Sequence, residues 1–165
     1  MLLKAIRDED YSSYKEVSML VAFPYCDFKC CIDAKRSISM CQNSPAAKLP
    51  SFYVPASDIY EQYSRNVITH SIVCAGLEPL KSFYDLCDLL YTFRYENGCS
   101  DMFVIYTGYD KNENTEIKGK INILKENFSN IIMKFGRYVP NQLPHYDEIL
   151  GVILASPNQY AERIS

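Results

Sequence analysis

Val17-Ser-Met-Leu-Val-Ala-Phe-Pro-Tyr-Cys26-Asp-Phe-Lys-Cys30-Cys31 joins an apolar run to a cluster of thiols. Residues 17–23 are a short and nearly all apolar run, the pattern of a buried strand. Four of the seven cysteines (Cys26, Cys30, Cys31 and Cys41) fall within sixteen residues just beyond it. A parallel α/β sheet collects its chemistry where its strands end. This junction therefore predicts the fold class and the position of the reactive groups together.

Outward from it, apolar runs alternate with helical periodicity. Residues 68–75, 102–107, 131–135 and 149–155 read as further strands. Ser57-Asp58 can cap a short helix running to about residue 66. Phe83, Leu86, Cys87, Leu90 and Phe93 recur at helical spacing across residues 81–96, and Asn97-Gly98 ends that helix. Ile117, Ile121, Leu124 and Phe128 mark one face of a helix over residues 114–127.

This rhythm predicts a single α/β domain over residues 1–165, with a parallel sheet, right-handed crossovers and helices on the outside. The sheet is either open or a partial (β/α) barrel. Both gather the post-strand loops at one end: residues 26–41, 76–79, 108–112, 136–137 and 156–159. The irregular stretch 26–55 is long for a compact domain, and such loops are usually functional or disordered.

Hydrophobic residues make up 48% of the 165 positions and charged residues 22%, a globular balance. With 17 basic and 20 acidic side chains the formal charge is −3, which gives no electrostatic case for nucleic acid or an anionic membrane. No apolar run nears the roughly 20 residues of a membrane span. Asp8-Glu-Asp10 stands where a signal peptide would continue its apolar region, so a cytoplasmic location is expected. Thiols there are reduced, and an odd count of seven suits a disulfide framework poorly. Clustered cysteines in that setting point to metal or redox chemistry.

Three thiolates can hold three irons of a [4Fe–4S] cluster and leave the fourth iron open; four can hold zinc. The spacings Cys26-x3-Cys30 and Cys30-x10-Cys41 supply one knuckle, whereas structural zinc usually takes two, so iron–sulfur is the better reading beside zinc or incidental thiols. Cys74, Cys87 and Cys99 read as structural. In Ala75-Gly-Leu-Glu-Pro-Leu80, Gly76 lets the backbone approach a ligand, Glu78 can pair with an ammonium group and Pro79 can open a helix. The same residues also make an ordinary strand-to-helix turn.

Taken together, the two loops resemble the radical S-adenosylmethionine (SAM) superfamily. Its full or partial β/α barrel carries a C-x3-C-x2-C cluster loop after the first strand and a Gly-Gly-Glu-Pro type motif after the second. Cys26-Asp-Phe-Lys-Cys30 matches the first half of the cluster loop, and Gly76-Leu-Glu-Pro79 resembles the second motif with Leu77 in place of a glycine. Cys41-Gln-Asn43, Val104-Ile-Tyr-Thr-Gly-Tyr109, Gly136-Arg-Tyr138 and Ser156-Pro-Asn-Gln159 are similar to segments of the anaerobic (class III) ribonucleotide reductase activating enzymes.

The resemblance implies Cys26, Cys30 and Cys41 as cluster ligands, with Gly76, Leu77 and Glu78 at the methionyl end of SAM. Asp33 stands where the family spacing would place the third cysteine, so Cys41 implies an insertion of about eight residues, which loops tolerate. Cys31 is a possible substitute. The implied activity is reductive cleavage of SAM to a 5′-deoxyadenosyl radical, which installs a glycyl radical on a partner enzyme. The implied electron donor is flavodoxin or ferredoxin. No side chain needs to act as a general acid or base. The alternatives are a small-molecule enzyme similar to the 7-carboxy-7-deazaguanine synthases and a non-catalytic zinc or iron–sulfur module.

Other polar residues carry less. His70 and His145 read as structural. Lys29, Lys35 and Arg36 make a solvated face or one that meets an acidic partner. Tyr106 and Tyr109 either line the cofactor pocket or end a strand.

Overall fold

In a computed structural model that describes residues 1–41 and 43–165, the chain is organised by a six-stranded sheet. Gln42, in the middle of the Cys41-Gln-Asn43 segment, lies outside the described residues. Strands β1 (Leu2–Leu3), β2 (Ala5–Asp10) and β3 (Ser18–Phe23) lead into the thiol loop, which carries the short helices α1 (Lys29–Asp33) and α2 (Ser44–Lys48). Strand β4 (Phe52–Tyr53), helix α3 (Ala56–Arg65), β5 (Ser71–Gly76), α4 (Phe83–Tyr91), β6 (Met102–Tyr106), α5 (Thr115–Asn127) and β7 (Ile131–Phe135) follow. The chain ends with β8 (His145–Asp147), β9 (Val152–Leu154) and β10 (Tyr160–Arg163).

The main sheet runs β10-β7-β6-β5-β3-β2. Its four central strands, β3, β5, β6 and β7, pair in parallel and correspond to the first four expected strands. The sheet is mixed rather than wholly parallel, because β2 and β10 pair antiparallel at the two edges. Those edges do not pair with each other, so the sheet stays open. Residues 149–155 do not supply a fifth strand to it. Their central part forms β9, which pairs with β8 in a separate hairpin. The Asp147 carboxylate fixes that arrangement, accepting from Leu150 N–H and from Ala161 N–H at 2.9 Å each.

Period-two alternation separates the sheet's two faces. Met19, Val21 and Phe23, Ile72 and Cys74, Phe103 and Ile105, and Ile131, Met133 and Phe135 share one face and are buried. Helices α3, α4 and α5 all cover this face, through Ile59 and Tyr63, Leu86 and Leu90, and Ile117, Ile121 and Leu124. Helix α4 is extended by a 3-10 turn at Pro79–Ser82 and a π turn at Thr92–Glu96, which together fill the expected helix. Phe93 packs edge-on against Phe103 at 5.2 Å and Tyr60 at 5.1 Å. Asn114 caps α5, its side chain accepting from Ile117 N–H at 2.9 Å. Ser57-Asp58 lies inside the first turn of α3 rather than capping it, and Pro55 holds the cap position.

The opposite face carries a smaller cluster built from Val73, Val104, Ile132, Tyr14, Leu150 and Leu154. Toward the carboxyl ends of the parallel strands this face opens into a cavity. The six-stranded sheet therefore has one side packed under helices and one side that opens into a cavity.

Candidate metal centre and cavity

The cavity holds about 610 Å³, within the usual range for a small-molecule site. Its wall draws on all five loops expected to gather there. Cys26, Cys30 and Cys41 come from the first, Gly76, Leu77 and Glu78 from the second, and Gly108, Arg137 and Gln159 from the other three. Every sequence-predicted site residue therefore lines one cavity. Tyr106 lines it too, with its hydroxyl donating to Ser13 C=O at 2.6 Å.

Backbone pairing brings the first two loops together. Leu77 N–H donates to Phe23 C=O at 3.1 Å and Glu78 N–H to Tyr25 C=O at 2.7 Å, so the second loop runs beside the exit of β3. Gly76 is required for this approach: its φ is +86°, and a Cβ there would stand 2.8 Å from Ala22 Cα and 2.9 Å from Phe23 N.

Three thiols converge. The sulfurs of Cys30, Cys31 and Cys41 all lie within 4.8 Å of one another, a group able to hold a metal ion. Cys30 and Cys31 Sγ are 4.0 Å apart, and Cys31 is buried. Cys26 lines the same cavity outside this group, with its sulfur accepting from Phe28 N–H at 3.2 Å. Cys41 Sγ likewise accepts from Asn43 N–H at 3.4 Å. Burial pushes the Cys26 thiol up to about 11, and burial with the neighbouring Cys31 pushes Cys30 up to about 12. Crowded sulfurs resist a negative charge each until a cation joins them, and a bound cation inverts that preference. An all-sulfur donor set suits iron–sulfur clusters and zinc. Cys74, Cys87 and Cys99 lie outside the cavity wall, Cys74 fully buried in β5.

Glu78 is buried and already heavily bonded. Its Oε1 accepts from Thr107 Oγ1 at 2.9 Å and Leu80 N–H at 3.1 Å, and its Oε2 from Gly108 N–H at 2.8 Å. Burial raises its pKa above the ordinary range although these three donors oppose that. The side chain thus ties the second loop to the third and leaves acceptor capacity on Oε2.

Asp27 makes a second tie. Its carboxylate accepts from the Tyr109 hydroxyl at 2.8 Å and from Lys29 N–H at 3.1 Å, with Arg137 at 3.8 Å. Burial disfavours the charge on Asp27, but these partners outweigh it and hold the carboxyl below its usual range. Arg137 also bonds Glu113 at 2.6 Å and lies over the Tyr109 ring at 4.8 Å. The fourth loop is braced by Asn158, whose amide donates to Arg137 C=O at 2.8 Å, and by Gln159, which donates to Gly136 C=O at 3.3 Å.

Sequence reading passes over Lys134. It sits in β7, buried, lines the cavity and donates to Gly136 C=O at 2.7 Å. Its signal was a lone lysine inside Ile131-Ile-Met-Lys-Phe135, a polar residue at a core position. His70 is exposed and precedes β5, and His145 lies in β8; neither lines the cavity. No helix among the described residues is long and apolar enough to cross a membrane. Comparison with family models, curated proteins and solved structures finds no match to this chain.

Proposed function

We propose that this chain is a radical SAM enzyme that installs a glycyl radical on a partner such as an anaerobic ribonucleotide reductase. One observation carries the reading. Residues from all five loops that resemble that family's segments line a single cavity at the carboxyl ends of four parallel strands. The cavity has room for a ligand of small-molecule size.

In this reading Cys26, Cys30 and Cys41 hold a [4Fe–4S] cluster, with Cys31 close enough to substitute for one of them. When bound, the cluster supplies the electron that cleaves SAM to methionine and a 5′-deoxyadenosyl radical. The chain's own part is to bind, orient and exclude water. The free acceptor capacity of Glu78 Oε2 serves the methionyl ammonium, and burial strengthens that attraction. Gly76 brings backbone to the same end of the ligand. The apolar walls from Leu20, Ala22 and Ala75 keep solvent from the reacting group.

Anaerobic reconstitution with iron and sulfide is expected to give a brown protein with sulfur-to-iron charge-transfer absorption. Under reduction that protein is expected to convert SAM to methionine and 5′-deoxyadenosine. Cluster formation without cleavage would sink the proposal. One observation favours a second reading as a zinc module. Zinc–sulfur bonds of about 2.3 Å put tetrahedral sulfurs about 3.8 Å apart, close to the 4.0 Å between Cys30 and Cys31. Stoichiometric zinc after oxygen-free purification would decide for that module.

A further inference from the structure

The three converging thiols stand on two short arms, each fixed by its own backbone. Helix α1 carries Cys30 and Cys31, with Cys31 N–H donating to Phe28 C=O and Arg36 N–H to Cys31 C=O, both at 2.9 Å. Cys41 follows a 3-10 turn at Ile38–Met40. Its N–H donates to Ile38 C=O at 3.0 Å, and its C=O accepts from Ser44 N–H at 2.9 Å. The arms bring the three sulfurs within 4.8 Å of one another, and no histidine or carboxylate joins the group among the described residues.

Cys26 is held apart from them. Its sulfur accepts from Phe28 N–H at 3.2 Å, across a Phe28 backbone in the left-handed region at φ +51°. Next to it, Asp27 accepts from the Tyr109 hydroxyl at 2.8 Å, which anchors this turn on the third loop.

The donor count decides what the converging group fits. A [4Fe–4S] cubane puts a separate iron under each thiolate, so its ligands stand further apart than those on one ion. Tetrahedral zinc takes a fourth donor. A cuprous ion is soft and selects thiolates, and three of them saturate it. Metal–sulfur bonds of about 2.3 Å set at 120° place their sulfurs about 4.0 Å apart. Cys30 and Cys31 Sγ are 4.0 Å apart.

We infer that Cys30, Cys31 and Cys41 form a trigonal site for a single cuprous ion. Binding is a ligand exchange with no change of oxidation state: copper stays monovalent and the thiol protons pass to solvent. The site shares Cys30 and Cys41 with the set assigned to the iron–sulfur cluster, so the two occupants exclude each other. With Cys31 engaged the loop takes one ion; with Cys26 in its place it takes the cluster. Copper is thereby an antagonist of cluster assembly. That consequence rests on the radical SAM reading, whereas the ion site itself does not.

The test uses the full chain, reduced and freed of metal without oxygen, and Cu(I) delivered from a chromophoric chelator. One equivalent is expected to transfer, and X-ray absorption is expected to show three sulfur neighbours at about 2.3 Å. Cys31→Ser is expected to weaken Cu(I) binding at least about a hundredfold, since losing a direct ligand costs more than losing an outer-shell partner. The same variant should still take up iron and sulfide. Cys26→Ser should do the reverse, keeping Cu(I) affinity and losing the cluster, and the crossed pattern shows that both variants fold. One equivalent of Cu(I) added first should block reconstitution of the wild type. Two or four sulfur neighbours, or equal Cu(I) affinity in the wild type and Cys31→Ser, would overturn the inference. Cluster assembly untouched by Cu(I) would overturn the exclusion. If iron and sulfide give a cluster in none of these proteins, the radical SAM reading falls, and the Cu(I) titrations still decide the ion site.

Discussion

Lys134 shows how much one side chain can reveal about the cavity it faces. Its ammonium is buried and bonded to Gly136 C=O, and no carboxylate forms an ion pair with it among the described residues. Burial lowers its pKa from 10.5 to about 8. Below pH 8 the lysine is protonated in both folded and unfolded chains, so folding bears the full penalty of a buried charge. Between pH 8 and about 10.5 the unfolded chain binds the extra proton, and the lysine's contribution to stability rises with pH through that window. Lys134→Met is therefore expected to stabilise the fold by about 1–3 kcal/mol at neutral pH. The advantage should shrink toward about pH 10, as checked by urea melts of both proteins at several pH values. Lower stability of the variant at neutral pH would show that the ammonium is compensated. At this scale the sequence was informative where a residue type has a chemistry of its own, as with the cysteines and Glu78. It was silent on Asp27, whose meaning depends on Tyr109 and Arg137 arriving from distant loops.

Gly76 belongs to the scale of elements, since its importance lies in how β5 leaves the sheet beside β3. Gly76→Ala forces a positive φ on alanine and drives a Cβ against the Ala22 and Phe23 backbone. A loss of about 3 kcal/mol or more is expected, read as a fall in thermal midpoint. A variant as stable as wild type would show that the two strand exits can separate. The central strands were legible because each is an apolar run with both faces covered, β7 for example being buried at every position. The edge strands were not. Strand β2 reads Ala-Ile-Arg-Asp-Glu-Asp, with a register break between Arg7 and Asp10, and β10 reads Tyr-Ala-Glu-Arg. Charged side chains suit an edge, where one flank of the strand has no partner, and they erase the hydrophobic signal that periodicity reads. Strand β9 misled for the opposite reason: it is apolar, but Asp147 anchors it in its own hairpin.

For the whole molecule, metal binding at the three converging thiols should be linked to the folded state. The thiol loop is tied down mainly at its ends, by Lys4 donating to Leu49 C=O at 2.5 Å and by Tyr109 donating to Asp27 at 2.8 Å. A group bound by Cys30, Cys31 and Cys41 would add a tie at its centre. Metal in excess of its dissociation constant is expected to raise the unfolding free energy, by about 2.7 kcal/mol at a hundredfold excess. Calorimetric scans with and without a chelator measure this, and identical scans would leave the three thiols incidental. Beneath that centre, the three long helices all cover one face of the sheet, while the cavity and the thiol loop occupy the other. This asymmetry partitions the chain for evolution. Changes among Leu86, Leu90, Ile121 and Leu124 are constrained by folding, whereas changes around the cavity leave that helical core in place. A lineage could change what the cavity accepts by rewriting loops on that side, with the helical side passing through the transition untouched.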